Sequence, residues 1–282
     1  MTVRRTTIAA HGMRFDALAA GPAAGELVLL LHGFPQTASC WHDALNALGA
    51  AGYHAVAPSQ RGYSEGARPE GVGAYRVSKL ADDVLAIASS LGRARFHLAG
   101  HDWGGTVAWA VAGDQPEAVI SLIAVSTPHT AALRQALHGT RQRLQMAYVP
   151  ILRLPRVAET LFDAGGGIAA ELLLTATGLS QEHAHRDVVA LRKLGPTGPL
   201  NWYRALGTGR IHSNPVAAPV LHIWGDRDPA FTREATELTA EHCTGDYHLL
   251  ELDGGSHWIP DEHWADVSDV VLEHLAAHSD RS

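Results

Sequence analysis

The chain has 282 residues, of which 46% are hydrophobic and 18% charged, and its formal net charge is −7. That balance excludes a disordered chain and fits one large α/β domain with room for an inserted lid. No run of five to eight arginines and lysines is present, so neither nucleic acid nor an anionic membrane surface is the expected partner. The expected substrate is therefore small and neutral, or at least not polyanionic.

The N-terminal residues lack the apolar core of a secretion signal, and the early apolar run Leu27–Leu31 is too short to cross a membrane. Cys40 and Cys243 have no CxxC spacing and read as two reduced thiols. The expected location is the cytoplasm.

Residues 5–10 and 14–19 are rich in strand formers and flank His11-Gly12, a hairpin turn. Leu27–Leu31 has the continuous apolar pattern of a strand buried on both faces. A helix is expected over 41–48 and a short strand over 54–57, ending at Pro58. Ser78 reads as an N-cap for a helix whose apolar positions are Leu80, Val84, Ile87, Ala88 and Leu91, stopped by Gly92. A strand over 95–99 leads into a glycine-rich turn and a helix over 106–113, and Val119–Val125 is again strand-like. The pattern resumes with a strand at 220–224, a helix over 232–242, a strand over Tyr247–Leu252 and a final helix over 264–278.

This alternation predicts an α/β fold with a mostly parallel sheet and helices on both faces. Between about 130 and 213 the rhythm breaks into helices and loops punctuated by Pro150, Pro155, Gly165 to Gly167, Pro196 and Pro199. The expected organisation is a core of residues 1–128 and 214–282 with a helical cap, 129–213, inserted in it.

Gly100-His101-Asp102-Trp103-Gly104-Gly105 lies between a strand and a helix, the setting of a nucleophile elbow, in which glycines allow a sharp turn that exposes the central side chain. Here that residue is an aspartate. A carboxylate can displace a leaving group from an sp³ carbon, forming an ester that water must then hydrolyse. Together with Leu31-His32-Gly33-Phe34-Pro35, Arg61-Gly62-Tyr63-Ser64 and Gly255-Ser256-His257-Trp258, the elbow resembles the soluble epoxide hydrolases of the α/β-hydrolase superfamily over nearly the whole chain.

The resemblance implies Asp102 as nucleophile and His257 as the base that activates water. Trp224-Gly225-Asp226-Arg227-Asp228 supplies the acid that orients the histidine; the Gly-x-x-Asp pattern selects Asp228, with Asp226 as the rival. The backbone N–H groups of Phe34 and Trp103 are the implied oxyanion donors. Tyr148 and Tyr203 align with the two lid tyrosines that protonate the epoxide oxygen, Tyr203 within Asn201-Trp202-Tyr203-Arg204 and Tyr148 by its spacing to Leu154-Pro155. Trp103, Phe34, Trp202 and Trp258 are the aromatic residues expected against the substrate.

The haloalkane dehalogenases share the Asp-Trp elbow but commonly place asparagine after His-Gly, where this chain has Phe34, which offers no side-chain donor to a halide. Trp202 or Trp109 would have to substitute. The expected reaction is the opening of a small-molecule epoxide by water without a cofactor or metal. A dehalogenase, a natural-product tailoring enzyme and a non-catalytic ligand-binding module are the alternatives. A homo-oligomer is compatible with the sequence. His274 and His278 lack a third ligand, His183-Ala-His185 reads as a solvated lid segment, and the Gly165 run reads as a hinge.

Overall fold

The computed structural model describes residues 2–210 and 212–279; Met1, Ile211 and residues 280–282, which fall within the expected domain bounds, lie outside the described residues. β1 (Arg4–Ala10) and β2 (Met13–Ala20) form the hairpin, and His11 and Gly12 take φ of 50° and 74°, the handedness that a two-residue hairpin turn needs. β2 pairs antiparallel with β4 (His54–Pro58). β3 (Leu27–Leu31), β5 (Phe96–His101), β6 (Val119–Val125), β7 (Val220–Gly225) and β8 (Tyr247–Leu252) complete the sheet in parallel, in the order β1-β2-β4-β3-β5-β6-β7-β8.

Every residue of β3 is buried, and the reason is its two-residue period. Leu27, Leu29 and Leu31 enter one apolar core, and Val28 and Leu30 enter the other on the opposite face. α1 (His42–Ala50) contributes Leu45 and Leu48 to the second core, whereas α2 (Val77–Ser90) and α3 (Trp103–Asp114) contribute Val84 and Val107 to the first.

Two helix starts differ from expectation. α2 begins at Val77, behind an extended Arg76 (φ −62°, ψ 148°), so Ser78 lies inside the helix and caps nothing. α3 begins at Trp103 rather than Thr106, because the elbow turns directly into the helix. The expected 232–242 helix is α-helical only over 233–237 and tightens to a 3₁₀ turn over Leu238–His242.

Between β6 and β7 the described residues form α4 (Thr130–Ala136), α5 (Thr140–Gln145), α6 (Val149–Leu152), α7 (Val157–Asp163), α8 (Ile168–Ala176), α9 (Gln181–Leu194) and α10 (Thr197–Arg204). α4 packs on α11 (Arg233–Glu237) and the 3₁₀ turn after it. α12 (Ile259–Glu262) follows β8, and α13 (Trp264–Ala277) packs on α1.

Polar ties hold the inserted helices in place. Gln142 of α5 is fully buried, donates to Ala230 O at 2.8 Å and accepts from Thr232 N at 3.0 Å. Arg186 of α9 bridges Asp187 and Asp261 with contacts of 2.6–2.9 Å, and Asp261 also accepts from Gln36 Nε2. His183 is not a free solvated side chain: its Nδ1 lies 2.8 Å from Glu262.

Candidate active site

Asp102 directly follows β5, at the N-cap position of α3, in a conformation that L residues rarely take, φ 51° and ψ −120°. Such a turn closes only if its neighbours are minimal. A Cβ at Gly104 would stand 2.1 Å from Leu31 O, and one at Gly33 would stand 2.4 Å from both Cβ and Oδ1 of Asp102. Thr127 Oγ1 donates to Asp102 O at 3.0 Å and braces the turn from the end of β6.

The two oxygens of Asp102 have different surroundings. Phe34 N donates to Oδ1 at 2.8 Å, and Trp103 N adds a second backbone hydrogen bond to the carboxylate. Oδ2 lies 3.7 Å from His257 Nε2. Burial opposes charge on Asp102, but the ion pair with His257 outweighs it and holds the carboxyl below its usual range.

On its far side His257 presents Nδ1 to Asp228 Oδ2 at 2.8 Å. Asp228 is buried, and its Oδ1 accepts from Ala230 N (2.7 Å) and Phe231 N (3.0 Å), which fixes the carboxylate plane. Asp226 points elsewhere: its Oδ1 accepts from Gly254 N in an exposed turn. Burial lowers the basicity of His257, but the Asp228 charge, the nearby Asp102 carboxylate and the hydrogen bond to Asp228 more than reverse it, raising the pKa to about 10.

A cavity of about 510 Å³ opens from Asp102 and Trp103 and is walled by residues such as Leu133, Met146, Tyr148, Val149, Tyr203 and Leu206. Tyr203 is buried, with its ring edge-on to both Phe34 and Trp103 at centroid distances of 5.1 Å. Tyr148 lies at the cavity wall and hydrogen-bonds Tyr203. Burial, reinforced by the Asp102 charge, pushes both hydroxyls above the ordinary tyrosine pKa, so both keep their protons at neutral pH.

The expected aromatic residues separate here. Trp103 and Trp202 border the cavity, although Trp202 is fully buried and its indole donates to Arg61 O at 2.9 Å. Phe34 packs behind Tyr203 and Phe162. Trp258 is turned away, its indole donating to Thr177 Oγ1 while its ring packs against Leu179 and Ala184. Trp109 donates to Thr127 O. The Arg61-Gly62-Tyr63-Ser64 segment is structural in its contacts: Arg61 makes a buried two-pronged pair with Asp83 at 2.6 and 2.7 Å.

Two supporting histidines escaped the sequence reading. His101 Nε2 meets His257 O at 2.8 Å, and burial holds its pKa at about 3, so the neutral ring donates there. His32 Nε2 accepts from Gln60 N, and Gln60 Nε2 donates back to His32 O, which locks the loop carrying Phe34. No local pattern reveals the His101 contact, because its two residues are 156 positions apart.

Residues 26–263 match the family model of the alpha/beta hydrolase fold. The AB hydrolase superfamily protein YfhM of Bacillus subtilis is 34% identical over 94% of this chain and 95% of its own. Epoxide hydrolase 4 of Mus musculus is 30% identical over 96% of this chain and 78% of its own. The crystal structure of Epoxide Hydrolase A from Mycobacterium thermoresistibile superposes with a TM-score of 0.84, at 26% identity, over 99% of both chains. The chain belongs to the α/β-hydrolase superfamily and, within it, to the epoxide hydrolase family.

Proposed function

We propose that the chain converts an epoxide and water to a vicinal diol through an ester on Asp102, beneath a cap formed by the helices between β6 and β7. The observation that carries this reading is the pairing of a buried, ionised carboxylate with two proton-bearing tyrosines at one apolar cavity. Relatives named as epoxide hydrolases support it.

The carboxylate attacks a ring carbon, the C–O bond breaks, and the hydroxyls of Tyr148 and Tyr203 stabilise and protonate the departing oxygen. Forming the ester removes the negative charge of Asp102, one of the groups that keeps His257 protonated. The imidazole then becomes less basic and gives up its proton, which restores the tyrosine hydroxyl that protonated the epoxide oxygen, and it is neutral when water needs a base. Water attacks the ester carbonyl, whose oxygen faces the N–H groups of Phe34 and Trp103, while Asp228 steadies the imidazolium that forms. Collapse releases the diol and restores the carboxylate.

A halide leaving group is less well served, because the indoles of Trp202 and Trp109 are already committed to Arg61 O and Thr127 O. The test is the intact mass of His257→Gln after incubation with mixed epoxides and haloalkanes. An adduct of the full substrate mass on Asp102 is the expected result. An adduct of the substrate less hydrogen halide would reassign the chemistry to dehalogenation. Full diol formation by Asp102→Ala would overturn the ester mechanism.

A further inference from the structure

Positive charge and apolar exposure are both concentrated in the segment between β6 and β7. Residues 129–213 hold ten of the 22 arginines and lysines but five of the 29 acids, so this segment carries +5 in a chain of −7. Four of those five acids are already engaged: Glu159 by Arg204, Asp163 by Arg192, Glu171 by His185 and Asp187 by Arg186. Among the described residues, Arg141, Arg143, Arg153 and Arg156 have no carboxylate partner, and all four are exposed.

Interleaved with these arginines are apolar side chains that packing does not cover. Leu144 is 69% exposed, and Ile151, Leu154 and Val157 are exposed along the run from α5 to α7; Leu172, 66% exposed, and Leu173 are exposed on α8, which packs on α7. Arg153-Leu154-Pro155-Arg156-Val157 is exposed at all five positions. A monomer rarely leaves so many large apolar side chains in one region in water.

We infer that this face docks on an anionic phospholipid surface, with the apolar side chains entering the acyl boundary and the arginines facing the headgroups. Arginine beside aliphatic side chains suits such an interface. No stretch of sequence has a basic run; the short turns from α5 to α7 gather the arginines within sixteen residues. A two-fold contact between copies would instead bring eight unpaired arginines together. The cavity opens among residues of the same segment, including Arg143, Met146 and Val149, so an apolar epoxide dissolved in the bilayer would reach it without crossing water. That last consequence rests on the proposed function; the docking itself does not.

The test is co-sedimentation of the full chain with vesicles of phosphatidylcholine alone or mixed with phosphatidylglycerol. Binding to the anionic vesicles alone, weakened by salt, is expected. Each arginine replaced should weaken it about fivefold, so Arg141→Gln, Arg153→Gln and Arg156→Gln together should cost about a hundredfold. Leu172→Ser with Leu173→Ser should weaken it with the arginines intact, and unchanged thermal melting would confirm that these variants fold. Equal binding to both vesicle types, no binding, or insensitivity to the arginine changes would overturn the inference. So would a dimer in light scattering that the two leucine changes dissolve while vesicles are ignored.

Discussion

Replacing Asp228 with asparagine tests the relay behind the nucleophile. The amide oxygen can keep the bonds that Oδ1 now accepts from Ala230 N and Phe231 N at 2.7 and 3.0 Å. The NH₂ group must then face His257 Nδ1, 2.8 Å away, where it can only donate. Nδ1 becomes the acceptor, the proton moves to Nε2, and no lone pair is left on the Asp102 side to take a proton from water. Loss of the charge also removes the largest influence raising the pKa of His257. Ester hydrolysis should slow about a thousandfold to ten-thousandfold, equivalent to about 4–5.5 kcal/mol of barrier. Ester formation depends on Asp102 and the tyrosines and should slow far less. Rapid-quench intact mass spectrometry should therefore find most of the enzyme carrying the mass of the epoxide, with little diol released. Asp226→Asn, altering a carboxylate that bonds Gly254 N in an exposed turn, should behave as the unaltered enzyme. Normal diol release by Asp228→Asn without an adduct, or failure of Asp226→Asn instead, would refute the reasoning.

Gly33→Ala would place a methyl 2.4 Å from Asp102 Oδ1 and should abolish ester formation while leaving the far-ultraviolet circular dichroism unchanged. Tyr203→Phe and Tyr148→Phe should each slow ester formation about a hundredfold or more, with the double change the more severe, as read from single-turnover kinetics. Asp83→Asn leaves Arg61 charged and buried without its partner and should destabilise the fold by about 3–5 kcal/mol in urea unfolding. Burial lowers His32 and His129 to a pKa of about 4, and His101, His222 and His274 to about 3. These rings take up protons in the unfolded chain below its pKa of about 6.5 but resist doing so when folded. Stability should therefore fall as pH drops from about 6.5 towards 3, by up to about 1.4 kcal/mol per pH unit for each ring. His257, raised to about 10, contributes the opposite way: its stabilisation is complete below about 6.5 and is lost as pH rises through 10. Urea midpoints across pH check both limbs.

The sheet was legible because its central strands are apolar at every position, as in Leu27–Leu31, or at all but one, as in Val119–Val125, and because turns such as His11-Gly12 carry their own chemistry. Ser78 misled because an N-cap side chain is one way among several to begin a helix, and the extended backbone of Arg76 begins this one unaided. In the candidate site, motif order placed Asp102, His257 and Asp228 in one neighbourhood, and the structure brings these three together with Tyr148 and Tyr203. Trp258 shows the limit of adjacency: it follows His257 directly, yet its side chain leaves the cavity for Thr177. The clasp of Arg186, Asp261 and Gln36 joins three distant segments, and only folding reveals it.

The unequal surroundings of the two oxygens of Asp102 give the proposed reaction an isotopic signature. Oδ1 is held by backbone donors, so Oδ2, on the His257 side, is the oxygen left to bond to the substrate carbon. Water adds to the ester carbonyl carbon and never touches the substrate. A single turnover in ¹⁸O-water would therefore leave the heavy atom in the protein, at residue 102, while the new hydroxyl of the diol carries an oxygen that began as part of the chain. Later turnovers would pass that label on, so the carboxylate acts as an oxygen relay, always one cycle ahead of the water that replenishes it.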